Sequence, residues 1–141
     1  MTFALFADLN WLAVVVAALV YFVLGGLWYM PRVFGDVWTR AIGWEPTDED
    51  QPGPAMYLAP LATCVVATVA VALLAAAVGA ASVADGIVLG LVAGVGVAGA
   101  VLFTTGYFDP HKRSPVVWFA VTGGYNAVGL LIAAIIVSVW R

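Results

Sequence analysis

Four apolar stretches of 19 or more residues, in a chain of only 141, constrain this protein more than any other feature. A helix needs about 20 apolar residues to cross the ~30 Å of hydrocarbon in a bilayer, so the four stretches take up most of the chain and leave no room for a second domain. Charged residues make up 9% of the sequence, against roughly 25% in soluble domains, and they all fall at or beyond the ends of the stretches. A soluble globule is excluded. With Lys+Arg 5 against Asp+Glu 8, the basic footprint of a nucleic-acid binder is also missing. The expectation is an all-α integral membrane protein, a four-helix bundle in one domain over 1–141 whose first partner is the lipid bilayer.

The spans are expected at about 11–29, 57–78, 86–108 and 116–140. Asp8 or Asn10 can cap the first, and Pro31 stops it. Trp11, Trp28, Tyr29, Pro31 and Trp38 sit where interfacial residues belong. No basic leader precedes this span and its apolar core is too long for a signal peptide, so it reads as a retained helix. Between 32 and 43, Val33, Phe34, Val37, Trp38, Ala41 and Ile42 recur at helical spacing opposite Arg32, Asp36, Thr39 and Arg40, which predicts a short amphipathic helix along the interface, with Gly43 as its stop. The acidic, proline-broken stretch at 45–52 reads as a solvated loop, without the ligand spacing of a calcium loop. Asp85 is the expected cap of the third span, and Ser114-Pro115 the expected start of the fourth. Counting bases, Arg32, Arg40, Lys112 and Arg113 on one side against Arg141 on the other predicts both termini outside the cytoplasm.

Two patterns inside the spans stand out. Gly86, Gly90, Gly94 and Ala98 follow at intervals of four on the third span, a spacing that lets helix backbones approach closely, either inside the bundle or between copies in a homo-oligomer. On the fourth, Thr122, Asn126, Gly129 and Ala133 form one small, polar stripe beside Tyr125. A carboxamide at that depth has no water, so Asn126 must face protein; it is either a structural clamp or, with Thr122 and Tyr125, the polar floor of a ligand pocket. Lys112 and Arg113, after the third span, are candidates for a lipid head group.

The absences narrow the chemistry. No Asp, Glu, Lys, Arg or His lies within a span, which disfavours a proton relay. The lone Cys64 and lone His111 lie on different elements, so neither a disulfide nor a Cys/His metal site can be assembled. No catalytic set and no cofactor motif is present.

The segments Asn10-Trp11-Leu12-Ala13-Val14, Gly25-Gly26-Leu27-Trp28-Tyr29-Met30-Pro31 with Phe34-Gly35 and Trp38, and Gly124-Tyr125-Asn126 resemble a bacterial membrane family catalogued as domain of unknown function 1761. The resemblance covers essentially the whole chain and implies a four-helix inner-membrane protein without an assigned activity. That family often carries histidine after its Gly-Tyr pair, where this chain has Asn126, so the resemblance transfers no acid/base or metal role. The reading is a packing or interaction subunit forming a homo-oligomer; the alternative is a small carrier, or a protein binding a lipid or small hydrophobic ligand, with a pocket near Asn126.

Overall fold

A computed structural model describes residues 3–45, 47 and 53–141. Of the acidic loop expected at 45–52, only Glu45 and Thr47 fall among them; the rest lies outside the described residues. The described chain is helical, without strands, and contains four helices long and apolar enough to cross a membrane: Trp11–Trp28, Ala55–Val78, Val83–Tyr107 and Pro115–Val139, here the first to fourth spans. Their outward faces are apolar, with Leu58, Val66, Val78 and Phe108 all more than half exposed. In water such a surface would drive aggregation; in hydrocarbon it is the solvated surface. Four apolar helices of this kind fit a multi-pass membrane protein.

The helix ends follow local chemistry, with two corrections. Asn10 caps the first span by accepting from the amides of Leu12 and Ala13 at 3.1 and 3.2 Å. The third span is capped by Ser82, where Asp85 was expected. The Ser82 hydroxyl accepts from the Asp85 amide at 3.1 Å, and the Asp85 carboxylate accepts from the Ser82 amide at 3.1 Å. This is a capping box, in which the acid sits three residues inside the helix and serves the cap in return. Ser114 precedes the fourth span but makes no side-chain cap; its amide instead donates to the Ala41 carbonyl at 3.0 Å, tying the two loops together. Gly43 and Gly79 end their helices in the left-handed region at φ 72° and 73°, a conformation that glycine reaches without a Cβ penalty.

The fourth span is the axis of the molecule. It packs against the other three spans and the loop helix (Asp36–Ile42), whereas the third span packs chiefly on the fourth. The core therefore lies among the first, second and fourth spans and is built from small residues, including Ala17, Ala72, Ala133 and Ala134, with Tyr21 and Cys64 among them. Thr68 and Ser138 are fully buried there or nearby, and their hydroxyls have no partner outside the chain's own solvent-free interior.

Every buried residue of the third span is a glycine: Gly86, Gly90, Gly94, Gly99 and Gly106. A methyl group added at Gly86 would lie 2.6 Å from Ile135 Cα, at Gly90 2.6 Å from Leu131 Cα, and at Gly94 2.9 Å from Ala127 Cα. The helix thus seats backbone against backbone, which only a missing side chain allows. Its middle, Val92–Gly99, winds in wide π turns, so the seating step from Gly94 is five residues, to Gly99. Ala98, next in the four-residue series, is only half-buried and turns to a groove beside the second span.

Candidate functional site

The Trp-Tyr-Pro segment at the end of the first span and the Gly-Tyr-Asn segment of the fourth, far apart in sequence, meet in one cluster. Tyr21 donates its hydroxyl proton to Asn126 Oδ1 at 2.6 Å. The other end of the same carboxamide, Nδ2, donates to the Thr122 carbonyl at 2.8 Å, one turn back on its own helix. Asn126 is thereby engaged at both ends, as a buried amide in hydrocarbon must be.

Tyr125 is the centre of the aromatic packing. Its ring lies 5.2 Å from that of Tyr21, 5.4 Å from Tyr29 and 6.4 Å from Trp28, tilted or edge-on in each case, the arrangements that ring quadrupoles favour. Its hydroxyl donates to the Tyr21 carbonyl at 3.4 Å. That assignment leaves the oxygen to accept from the Cys64 thiol, also at 3.4 Å. Cys64 is buried as a small apolar residue is, yet it brings the second span into the cluster. None of these partners comes from the third span.

Glycines make room for the rings. A methyl group at Gly25 would lie 2.8 Å from the Tyr125 hydroxyl, one at Gly124 would lie 3.3 Å from the Trp28 ring, and one at Gly129 would overlap the ring of Tyr21. Each glycine faces an aromatic residue across the helix interface, so the glycines and aromatics of the two segments work as pairs.

Of the five residues expected at the interface, Trp11 and Pro31 are exposed, whereas Trp28, Tyr29 and Trp38 are half-buried. Trp28 donates its indole N–H to the Val121 carbonyl at 3.0 Å, and Trp38 donates to the Thr122 hydroxyl at 3.2 Å. The same Thr122 side chain hydrogen-bonds to Tyr29. The loop helix is therefore tucked against the fourth span by Trp38, and Ala41 is buried there.

The basic candidates lie in a separate cluster. Lys112 pairs with Asp109 and stands 4.4 Å from the centre of the Trp118 ring, a cation-π distance. The bond from Lys112, then the backbone N–H of His111, draws the Asp109 carboxyl down from 3.8 to about 2. Arg113 reaches Glu45 at 3.4 Å and packs against Gly43. Both cations are turned toward protein partners.

The chemistry available at the aromatic cluster is that of neutral hydroxyls, indoles, an amide and a thiol, which donate and accept hydrogen bonds without holding charge. Among the described residues, no group of three or more His, Cys, Asp or Glu is placed to hold a metal ion. Sequence reasoning singled out Thr122, Tyr125 and Asn126 but missed Tyr21 and Cys64 as their partners. The spacing of Tyr21 four residues before Gly25 carried the signal, since a tyrosine within a span needs a partner for its hydroxyl.

No curated protein and no solved structure matches the chain. A family model described as a protein of unknown function, DUF1761, matches residues 12–138, a segment that takes in the Trp-Tyr-Pro and Gly-Tyr-Asn elements alike, and the chain belongs to that family.

Proposed function

We propose that this chain is a packing and interaction subunit of a membrane assembly, and that it works as a homo-oligomer. The observation carrying this reading is the closure of the Asn126 amide, with one end bonded to Tyr21 and the other to Thr122. The most polar group at depth is engaged in holding helices together, which leaves less support for the rival reading of a carrier or hydrophobic-ligand pocket at that position. Support for self-association comes from a wholly apolar groove of about 270 Å³ beside the second and third spans, lined by Ala67, Ala70, Leu74, Val92, Val97 and Ala98. Its small residues suit the close approach of a helix from another copy.

Native mass spectrometry of the protein released from lipid nanodiscs tests the reading. The expected result is an oligomer that Ala70→Trp, which fills the groove, reduces to monomer. A monomer for the unmodified chain overturns the proposal. The same reading has the chain in a bacterial cytoplasmic membrane with both termini outside, on the strength of the four bases carried by the two loops against Arg141 at the other side.

A further inference from the structure

The end of the bundle opposite the two long loops holds a crevice of about 260 Å³ where the first, second and fourth spans diverge. Its floor is apolar, from Ala13, Ala76 and Val137, and its rim carries Asp8, Trp140 and Arg141. The two rim charges are opposite in sign, yet they form no ion pair with each other. Asp8 has no side-chain hydrogen bond or ion pair among the described residues. The Arg141 guanidinium donates to the Ala75 carbonyl at 3.3 Å, which engages one of its five N–H groups. Asp85, the nearby acid, has its carboxylate occupied by the Ala81 and Ser82 amides and the Ser82 hydroxyl.

From this geometry we propose that the crevice binds the head group of a zwitterionic phospholipid, with the ammonium at Asp8 and the phosphodiester at Arg141. Two opposite charges facing one crevice without pairing match a ligand that carries both charges at a fixed separation. The volume is that of roughly nine waters at about 30 Å³ each, and an ethanolamine phosphate has about as many non-hydrogen atoms. A soluble zwitterion would leave the apolar floor uncovered, whereas a lipid covers it with its glycerol and first methylenes. The position at the ends of the spans, beside an exposed Trp140, is the level at which head groups lie. The site is remote from the Asn126 cluster and does not depend on the role assigned there.

Lipid retention by the full chain provides the test, measured by native mass spectrometry after reconstitution in equal mixtures of phosphatidylethanolamine and phosphatidylglycerol. The unmodified protein should retain the ethanolamine lipid in preference, since phosphatidylglycerol offers no cation to Asp8. Asp8→Asn should lower that preference about fivefold, as expected for loss of a partly exposed charge pair; Asp8 has no partner in the fold, so the variant should keep its melting temperature. Arg141→Gln should lower retention of both lipids, because both carry phosphate. Arg40→Gln, at the far end of the molecule, should change neither. Equal retention of the two lipids by the unmodified protein overturns the proposal, as does an Asp8→Asn protein with unchanged preference or an equal loss in Arg40→Gln.

Discussion

The hydroxyl of Tyr21 and the side-chain oxygen of Asn126 are 2.6 Å apart, bridging the first and fourth spans across 105 positions of sequence. Around that bond the aromatic rings of Tyr29, Trp28 and Tyr125 close, and the glycines opposite them set how near the two helices come.

If the bond clamps the helices, Tyr21→Phe and Asn126→Leu should each destabilise the protein by about 1 kcal/mol, the leucine losing part of that through better apolar packing. The double variant should cost clearly less than the sum, since either change removes the same bond. Unfolding in a mixed-micelle titration supplies the three values. Full additivity would show that the two side chains are not coupled. An Asn126→Leu protein that keeps its stability but loses a co-purifying small molecule would favour the pocket reading.

The seating of the third span predicts a contrast between two glycines on one helix. Gly90→Ala places its methyl against Leu131 backbone and should cost about 1–3 kcal/mol, the usual penalty of overpacking. Gly96 has nothing within 4 Å of an added Cβ, and Gly96→Ala should be neutral or stabilising by about 0.5 kcal/mol, from lower backbone entropy in the unfolded chain. Thermal midpoints measured side by side decide it; equal losses would mean that the third span is not seated as described.

Gly129→Ala should displace the ring of Tyr21 and so break the clamp indirectly. Its cost should exceed that of Tyr21→Phe, which removes only a hydroxyl. In a Tyr21→Ala background, where the ring is gone, the added methyl should be tolerated. A penalty that persists in that background would assign the strain to some other neighbour.

Asp109 gives the loop cluster a pH dependence. Its carboxyl titrates at about 2 in the folded protein against an ordinary 3.8, so its ion pair favours the folded loop above about pH 4 and loses that effect as the pH falls toward 2. The difference in thermal midpoint between the protein and Asp109→Asn should hold steady from neutral pH down to about 5 and then shrink below 4. A difference that grows on acidification would contradict the assignment.

For topology, a reporter active only in the cytoplasm, fused after Arg141, should stay silent, and one inserted in the loop after Gly43 should be active. The reverse pattern would place the four loop bases outside.

The spans were legible because their ends carry chemistry that water and lipid impose: Trp11 behind Asn10, Pro31 behind Tyr29, Gly79 ahead of the turn. The facing of each helix was much less so. Periodicity separates buried from exposed positions when the surroundings are aqueous, but here both sides of a helix are apolar, and Val66 on the lipid side reads like Val71 in the core. Asn126 was legible as a group needing a partner, but the partner's identity depended on how two helices rotate against each other, which placed Tyr21 there and brought Cys64 alongside. Trp38 was misleading in the opposite way: an amphipathic pattern predicts a helix lying on the interface, and the sequence does not reveal that its indole reaches Thr122. The Asp8 and Arg141 crevice joins residues near opposite ends of the chain, beyond the reach of any local pattern.

The wide turns of Val92–Gly99 give the third span an internal phase shift. Its two halves are aimed independently: Gly86 and Gly90 bear on one stretch of the fourth span, and Gly106 faces Trp118 from a bearing set by the extra residue between them. Deleting one residue from the wide turns would rotate the later half by about 100° and swing Gly106 off the indole, while the earlier half stayed seated. Insertions and deletions confined to those turns thus act as a rotational adjustment, turning the lipid-facing side of one half helix without loosening the other.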